Sequence, residues 1–117
     1  MPRLVVHEHT RAGRVHYDLM LESPQMLWTW RFEGFPGSAS EQSCQRIQDH
    51  DARFLTYEGS LSPGNGSVRI VERGTFDLLS ARENEVHFTA RGQKVSGACR
   101  LLRKGENDWD LLCESNP

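Results

Sequence analysis

Short runs of alternating apolar and polar residues, separated by turn-forming residues, constrain this chain more than any other feature. Met26, Trp28, Trp30 and Phe32 fall on alternate positions, as do Val86, Phe88 and Ala90. Alternate residues of a strand share one face, so this period of two marks strands with one side buried. Comparable runs recur at Leu4–His9, Val15–Leu21, Cys44–Gln48, Phe54–Gly59, Val68–Glu72, Thr75–Leu79, Val95–Arg103 and Trp109–Cys113. Glu22-Ser23-Pro24-Gln25, Ser62-Pro63-Gly64-Asn65-Gly66, Gly92-Gln93 and Lys104-Gly105-Glu106-Asn107 punctuate them. The expectation is an all-β fold, a compact antiparallel β-barrel of about eight strands with at most one short helix. That helix would start at Ser38 or Ser40, at the end of the long loop Gly34–Glu41. The stripe Trp28, Trp30, Phe32 reads as core before it reads as a base-stacking platform, and Pro63-Gly64-Asn65-Gly66 as a hairpin turn before a phosphate cradle.

At 117 residues the chain has room for one sizeable core, hence one domain over 1–117, with the tail after about 113 expected to fray. It has no apolar run near the roughly 18 residues of a membrane span and no charged leader before a hydrophobic stretch. A cytoplasmic location without membrane attachment is therefore expected. The net charge of −2 argues against a general nucleic-acid coat. Lys94 and Lys104 are the only lysines among the 14 cations, and an arginine excess suits phosphate recognition but also follows from codon bias. Three cysteines without a C-x-x-C spacing suggest neither a disulfide framework nor a thiolate zinc site; Cys44, Cys99 and Cys113 are expected as core or near-core residues.

Polar chemistry concentrates near the N-terminus. His16 and Asp18 share a strand face, with Tyr17 on the other, and His7 and His9 share a face of the preceding strand. Two imidazoles and a carboxylate from neighbouring strands suit a divalent metal that keeps open positions for water and substrate.

The order of motifs along the chain carries further information. Val5-Val6-His7-Glu8-His9 is followed by His16-Tyr17-Asp18-Leu19-Met20-Leu21-Glu22, Thr29-Trp30 and Ile47-Gln48-Asp49-His50. Then come Tyr57-Glu58-Gly59, Glu72-Arg73-Gly74, Gly92-Gln93-Lys94-Val95-Ser96-Gly97 and Trp109-Asp110-Leu111-Leu112. This series resembles the 3′-phosphoesterase domain at the N-terminus of bacterial DNA ligase D, which also occurs as free-standing small proteins. The resemblance implies a β-barrel with a metal and phosphate site in its central groove. It also implies removal of a 3′-terminal ribonucleotide and then a 3′-phosphate from a primer end. Manganese is the metal implied, with zinc as the other candidate. By position, His9, His16 and Asp18 would be the metal ligands and His50 the phosphate-facing histidine. His7 is the alternative first ligand, because six residues separate His9 from His16, one more than in the family.

The departures fall on the phosphate grip. The arginine expected two residues after Asp18 is Met20, the lysine after the S-W strand is missing from Glu33-Gly34-Phe35-Pro36, the glutamate before Asp49 is Gln48, and a usual tyrosine is Phe54. An arginine expected eight residues before His50 is Gln42, with Arg46 as the nearby replacement. Arg11, Arg14 and Arg31 are the other cations that could compensate. Two functions follow. One is a metal-dependent hydrolase trimming DNA or RNA 3′ ends in repair, beside ligase or end-joining partners. The other is a weakened module that binds nucleic-acid ends or a repair partner without turnover.

Overall fold

The computed structural model describes residues 1–114, and the fraying expected after Cys113 falls almost wholly on residues outside that range. Its strands are β1 (Arg3–Arg11), β2 (Arg14–Glu22), β3 (Leu27–Phe32), β4 (Glu41–His50), β5 (Gly59–Ser60), β6 (Ser67–Arg82), β7 (Glu85–Gly92), β8 (Ser96–Arg103) and β9 (Asp108–Glu114). All pairings are antiparallel, in the order β1-β2-β3-β4-β9-β8-β7-β6-β5, and β1 also pairs with β6. The sheet therefore closes into a ring of eight strands, with the two-residue β5 outside it.

The inward positions are those the alternation marks. Leu4, Val6, Leu19, Leu21, Trp30, Phe32, Phe76, Phe88 and Leu101 fill the interior, and Trp28 packs against them half-buried. Trp30 meets Trp109 edge to face with ring centroids 5.6 Å apart. The ring encloses a packed core. The histidines and Asp18 occupy the alternate positions and point outward.

Outside the ring lies a second, smaller apolar layer. Val5, Met20 and Leu27 would be solvent-facing by alternation alone, yet a 3-10 helix (Ala52–Leu55) lays Leu55 over them. Asp51 caps that helix, its carboxylate accepting the Arg53 backbone N–H at 2.9 Å. This corrects the expected strand Phe54–Gly59, of which only Gly59 begins β5. The helix expected near Ser40 is absent too, because Glu41 already opens β4.

Two further differences concern β6 and the cysteines. Val68–Glu72 and Thr75–Leu79 form one continuous strand, since Gly74 lets β6 pass close to Arg91 and Gly92 of β7. Cys99 and Cys113 sit directly opposite each other on β8 and β9 and are joined as a disulfide, which the sequence reading did not anticipate. Their separation of 14 residues gives no hint of the pairing, which strand register alone creates.

Candidate functional site

The hairpin β1–β2 brings the polar cluster together. Its turn, Ala12-Gly13, has both residues at positive φ (+50° and +77°), the two-residue geometry that matches the twist of antiparallel strands. From this turn β1 and β2 pair without a bulge. His9 then lies opposite His16, His7 opposite Asp18, and Arg11 opposite Arg14.

Arg31 of β3 lies opposite Asp18 and completes the cluster. Its Nε donates to Oδ1 of Asp18 at 2.9 Å and its Nη2 donates to Oδ2 at 3.1 Å. The same Nη2 approaches Nδ1 of His9 at 3.4 Å. On the other side of that ring, Nε2 of His9 lies 2.8 Å from the Asn65 carbonyl, contributed by the turn before β6. That turn can approach so closely because Gly66 has no side chain: a Cβ would lie 1.9 Å from the Thr10 carbonyl oxygen. Pro63-Gly64-Asn65-Gly66 thus closes a hairpin and anchors His9.

Charge at the site follows from burial and neighbours. Burial pushes His16 below the ordinary histidine value, helped by the Arg31 charge. Burial also lowers His7, against the opposing pull of Asp18. Arg31 is held more firmly protonated by its hydrogen bonds to Asp18. Nδ1 of His16 and Nε2 of His7 are buried without partners among the described residues.

His16 and Arg31 open onto a groove of about 760 Å³ whose other polar lining residues include Glu33, Gln42, Gln45, Lys104 and Asp108. Arg11 and Arg14 are exposed on the same face beyond the His9–His16 pair. Lys104 pairs with Asp110 at 2.9 Å.

The remaining candidates are arranged less simply. His50 lies on the outer face but is set apart from His7 by the Phe54 ring, which stands edge-on to both at 5.7 and 6.2 Å. Nδ1 of His50 is turned to the Gln48 carbonyl at 2.8 Å. Arg46 is not with the cluster. Opposite Trp30, it points to the inner side of the sheet, with its guanidinium over the Trp30 ring at 4.5 Å and paired to Asp49. Its place four residues before His50 does not put it on the histidines' face.

A family model of the DNA ligase D 3′-phosphoesterase domain matches residues 6–103, most of the chain. The chain belongs to that family. No curated protein matches it. Membership supports a 3′-phosphoesterase-type function in DNA repair and nucleic-acid 3′ ends as the kind of substrate. Among the described residues no helix is long and apolar enough to cross a membrane.

Against that family membership, the donor set of the expected metal site is only partly open. Both oxygens of Asp18 and one nitrogen of His9 face Arg31, and the other His9 nitrogen faces Asn65. His16 alone of the three has an unpartnered nitrogen. With the side chains in this arrangement, His9, His16 and Asp18 do not fit a resident divalent ion. Arg31 is the member of this cluster that the sequence pattern does not single out. It stands one position after Trp30, on the outward phase of β3, but its meeting with Asp18 depends on register that no local pattern reports.

Proposed function

We propose that this phosphoesterase-family domain receives the 3′ end of a nucleic-acid strand in its outer groove, with the terminal phosphate beside Arg31 and His16. The observation that supports it most is the Arg31 guanidinium, held rigidly by Asp18 at the edge of the groove. A planar guanidinium fixed by one carboxylate still presents N–H groups to a second anion, and it matches two phosphate oxygens. Exposed Arg11 and Arg14 extend the positive charge along the same face and would draw the strand in.

His16 then supplies the proton chemistry. Its lowered pKa leaves it neutral at physiological pH, so the ring, which lines the groove, accepts a proton from a water positioned against phosphorus. Attack by that water breaks the bond between phosphorus and the 3′ oxygen, and the leaving oxygen takes a proton from solvent in the open groove. The substrate arm of the family function, a 3′-terminal ribonucleotide or 3′-phosphate on a primer-template, is the test. Purified protein should release phosphate from a 3′-phosphorylated primer, and His16→Ala should abolish the release. Cleavage unaffected by His16→Ala would place the chemistry elsewhere.

One observation favours the alternative of binding without turnover. The position of the motif arginine is Met20, fully buried beneath Leu55, so no cation reaches the phosphate from there. Tight binding of the 3′-phosphorylated strand with no product would establish that reading instead.

A further inference from the structure

One guanidinium engages both carboxylate oxygens of Asp18 and the acceptor nitrogen of His9, the atoms these residues would turn to a metal ion. The Asn65 carbonyl can only accept, so Nε2 of His9 carries the hydrogen and Nδ1 is the acceptor. Arg31 can only donate, and its Nη2 has two hydrogens, one directed at Oδ2 of Asp18 and the other at Nδ1 of His9. Nε takes the remaining carboxylate oxygen, and Nη1 is left without a protein partner among the described residues. A metal ligand must bring a free lone pair, and a divalent ion here would stand against a fixed positive charge.

The neighbouring position leaves Arg31 as the guanidinium beside Asp18. Met20 replaces the motif arginine and is sealed under the second apolar layer, while Arg31 supplies a guanidinium from the adjacent strand, next to Asp18.

We propose that Arg31 is a built-in cation that takes the place of a resident metal in this chain. It closes the His9–His16–Asp18 site to divalent ions and holds an anionic oxygen of the ligand through Nη1. The part concerning phosphate rests on the groove reading above; the part concerning metal does not.

Metal uptake tests it directly. The full chain is stripped with chelator, and manganese and zinc are titrated into it and into Arg31→Ala and Arg31→Gln. The wild type should take up no stoichiometric ion. Both variants should gain a site, and adding Asp18→Ala to either should remove it. Uptake by the wild type that Asp18→Ala abolishes would overturn the proposal. So would the absence of uptake by every variant, because the arginine would then not be what keeps the ion out. Should both variants fail to fold, as judged by circular dichroism, the wild-type titration decides alone.

A second measurement reads the phosphate. In chelator, a 3′-phosphorylated oligonucleotide should bind the wild type, and Arg31→Ala should weaken it by roughly tenfold or more, the scale of one charge-assisted contact. Equal binding by both overturns the phosphate role. An oligonucleotide that binds no form, together with the expected metal result, would sink the groove reading and support the exclusion of metal.

Discussion

The Glu72 carboxylate occupies the space that a side chain at Gly92 would need, with Oε2 2.6 Å from where a Cβ would stand. Buried between β6 and the β7–β8 turn, it accepts the backbone N–H groups of Lys94 at 2.6 Å and Val95 at 2.7 Å through Oε2, and that of Arg73 at 3.1 Å through Oε1. Two separate motif segments, Glu72-Arg73-Gly74 and Gly92-Gln93-Lys94-Val95, are thereby tied together. They fasten β6 to the β7–β8 turn. Bonds to a charged group contribute roughly 1.5–3 kcal/mol each. Glu72→Ala should therefore destabilise the fold by about 3 kcal/mol or more, and Gly92→Ala by about 1–3 kcal/mol through overpacking. Urea denaturation with both variants checks this, and a change under 0.5 kcal/mol, roughly the neutral range for surface substitutions, would count against it.

Ala12 adopts φ +50° in the β1–β2 turn, a conformation that suits Gly or Asn and costs an ordinary L-residue roughly 1–2 kcal/mol. Ala12→Asn should raise stability by about 1 kcal/mol, with the site preserved. A lower melting temperature in that variant would mean that the turn is built differently.

Restoring the family arginine looks, from the strand pattern alone, like a way to strengthen the phosphate grip. Met20 is 0% exposed, among Val5, Leu27 and Leu55, so the structure argues the opposite. Met20→Arg should cost several kcal/mol, on the order of 3–5, by burying an unpaired charge. Met20→Leu, which keeps the volume, should cost less than about 1.5 kcal/mol. Thermal melts of the two variants should separate clearly. An arginine variant as stable as the wild type would show that the 3-10 helix lifts off this face.

Cys44 points into the core, and burial pushes its thiol up to about 12. Only the thiolate is nucleophilic, so at pH 8 the native protein should react slowly with Ellman's reagent at this residue. Unfolding in urea returns the thiol toward an ordinary pKa near 8.5, and labelling should then be rapid. Fast labelling of the folded protein would show that the strand pair β4–β9 opens locally.

Much of this architecture is written locally. The period of two in Leu19, Leu21, Trp30, Phe32, Val86 and Phe88 identifies the inward face because pleating alternates side chains regardless of what lies across the sheet. The grouping of His9, His16 and Asp18 on one face follows from the same rule, and the order of motifs is enough to expect the ligase D phosphoesterase family. Alternation does not say what covers a face. Met20 and Val5 look outward in sequence and are buried by Leu55, brought there by a short helix that the apolar run Phe54–Gly59 disguised as a strand. Nor does it name partners across strands. The pairing of Arg31 with Asp18, of Cys99 with Cys113, and of Glu72 with the Gly92–Val95 turn arises from register and closure, which fix contacts between residues far apart in the chain. Residue types and their spacing determined which chemistry is present on this protein's outer face; only the closed sheet decided that the Arg31 guanidinium meets Asp18 and His9, because register is set by the whole ring and not by any one strand.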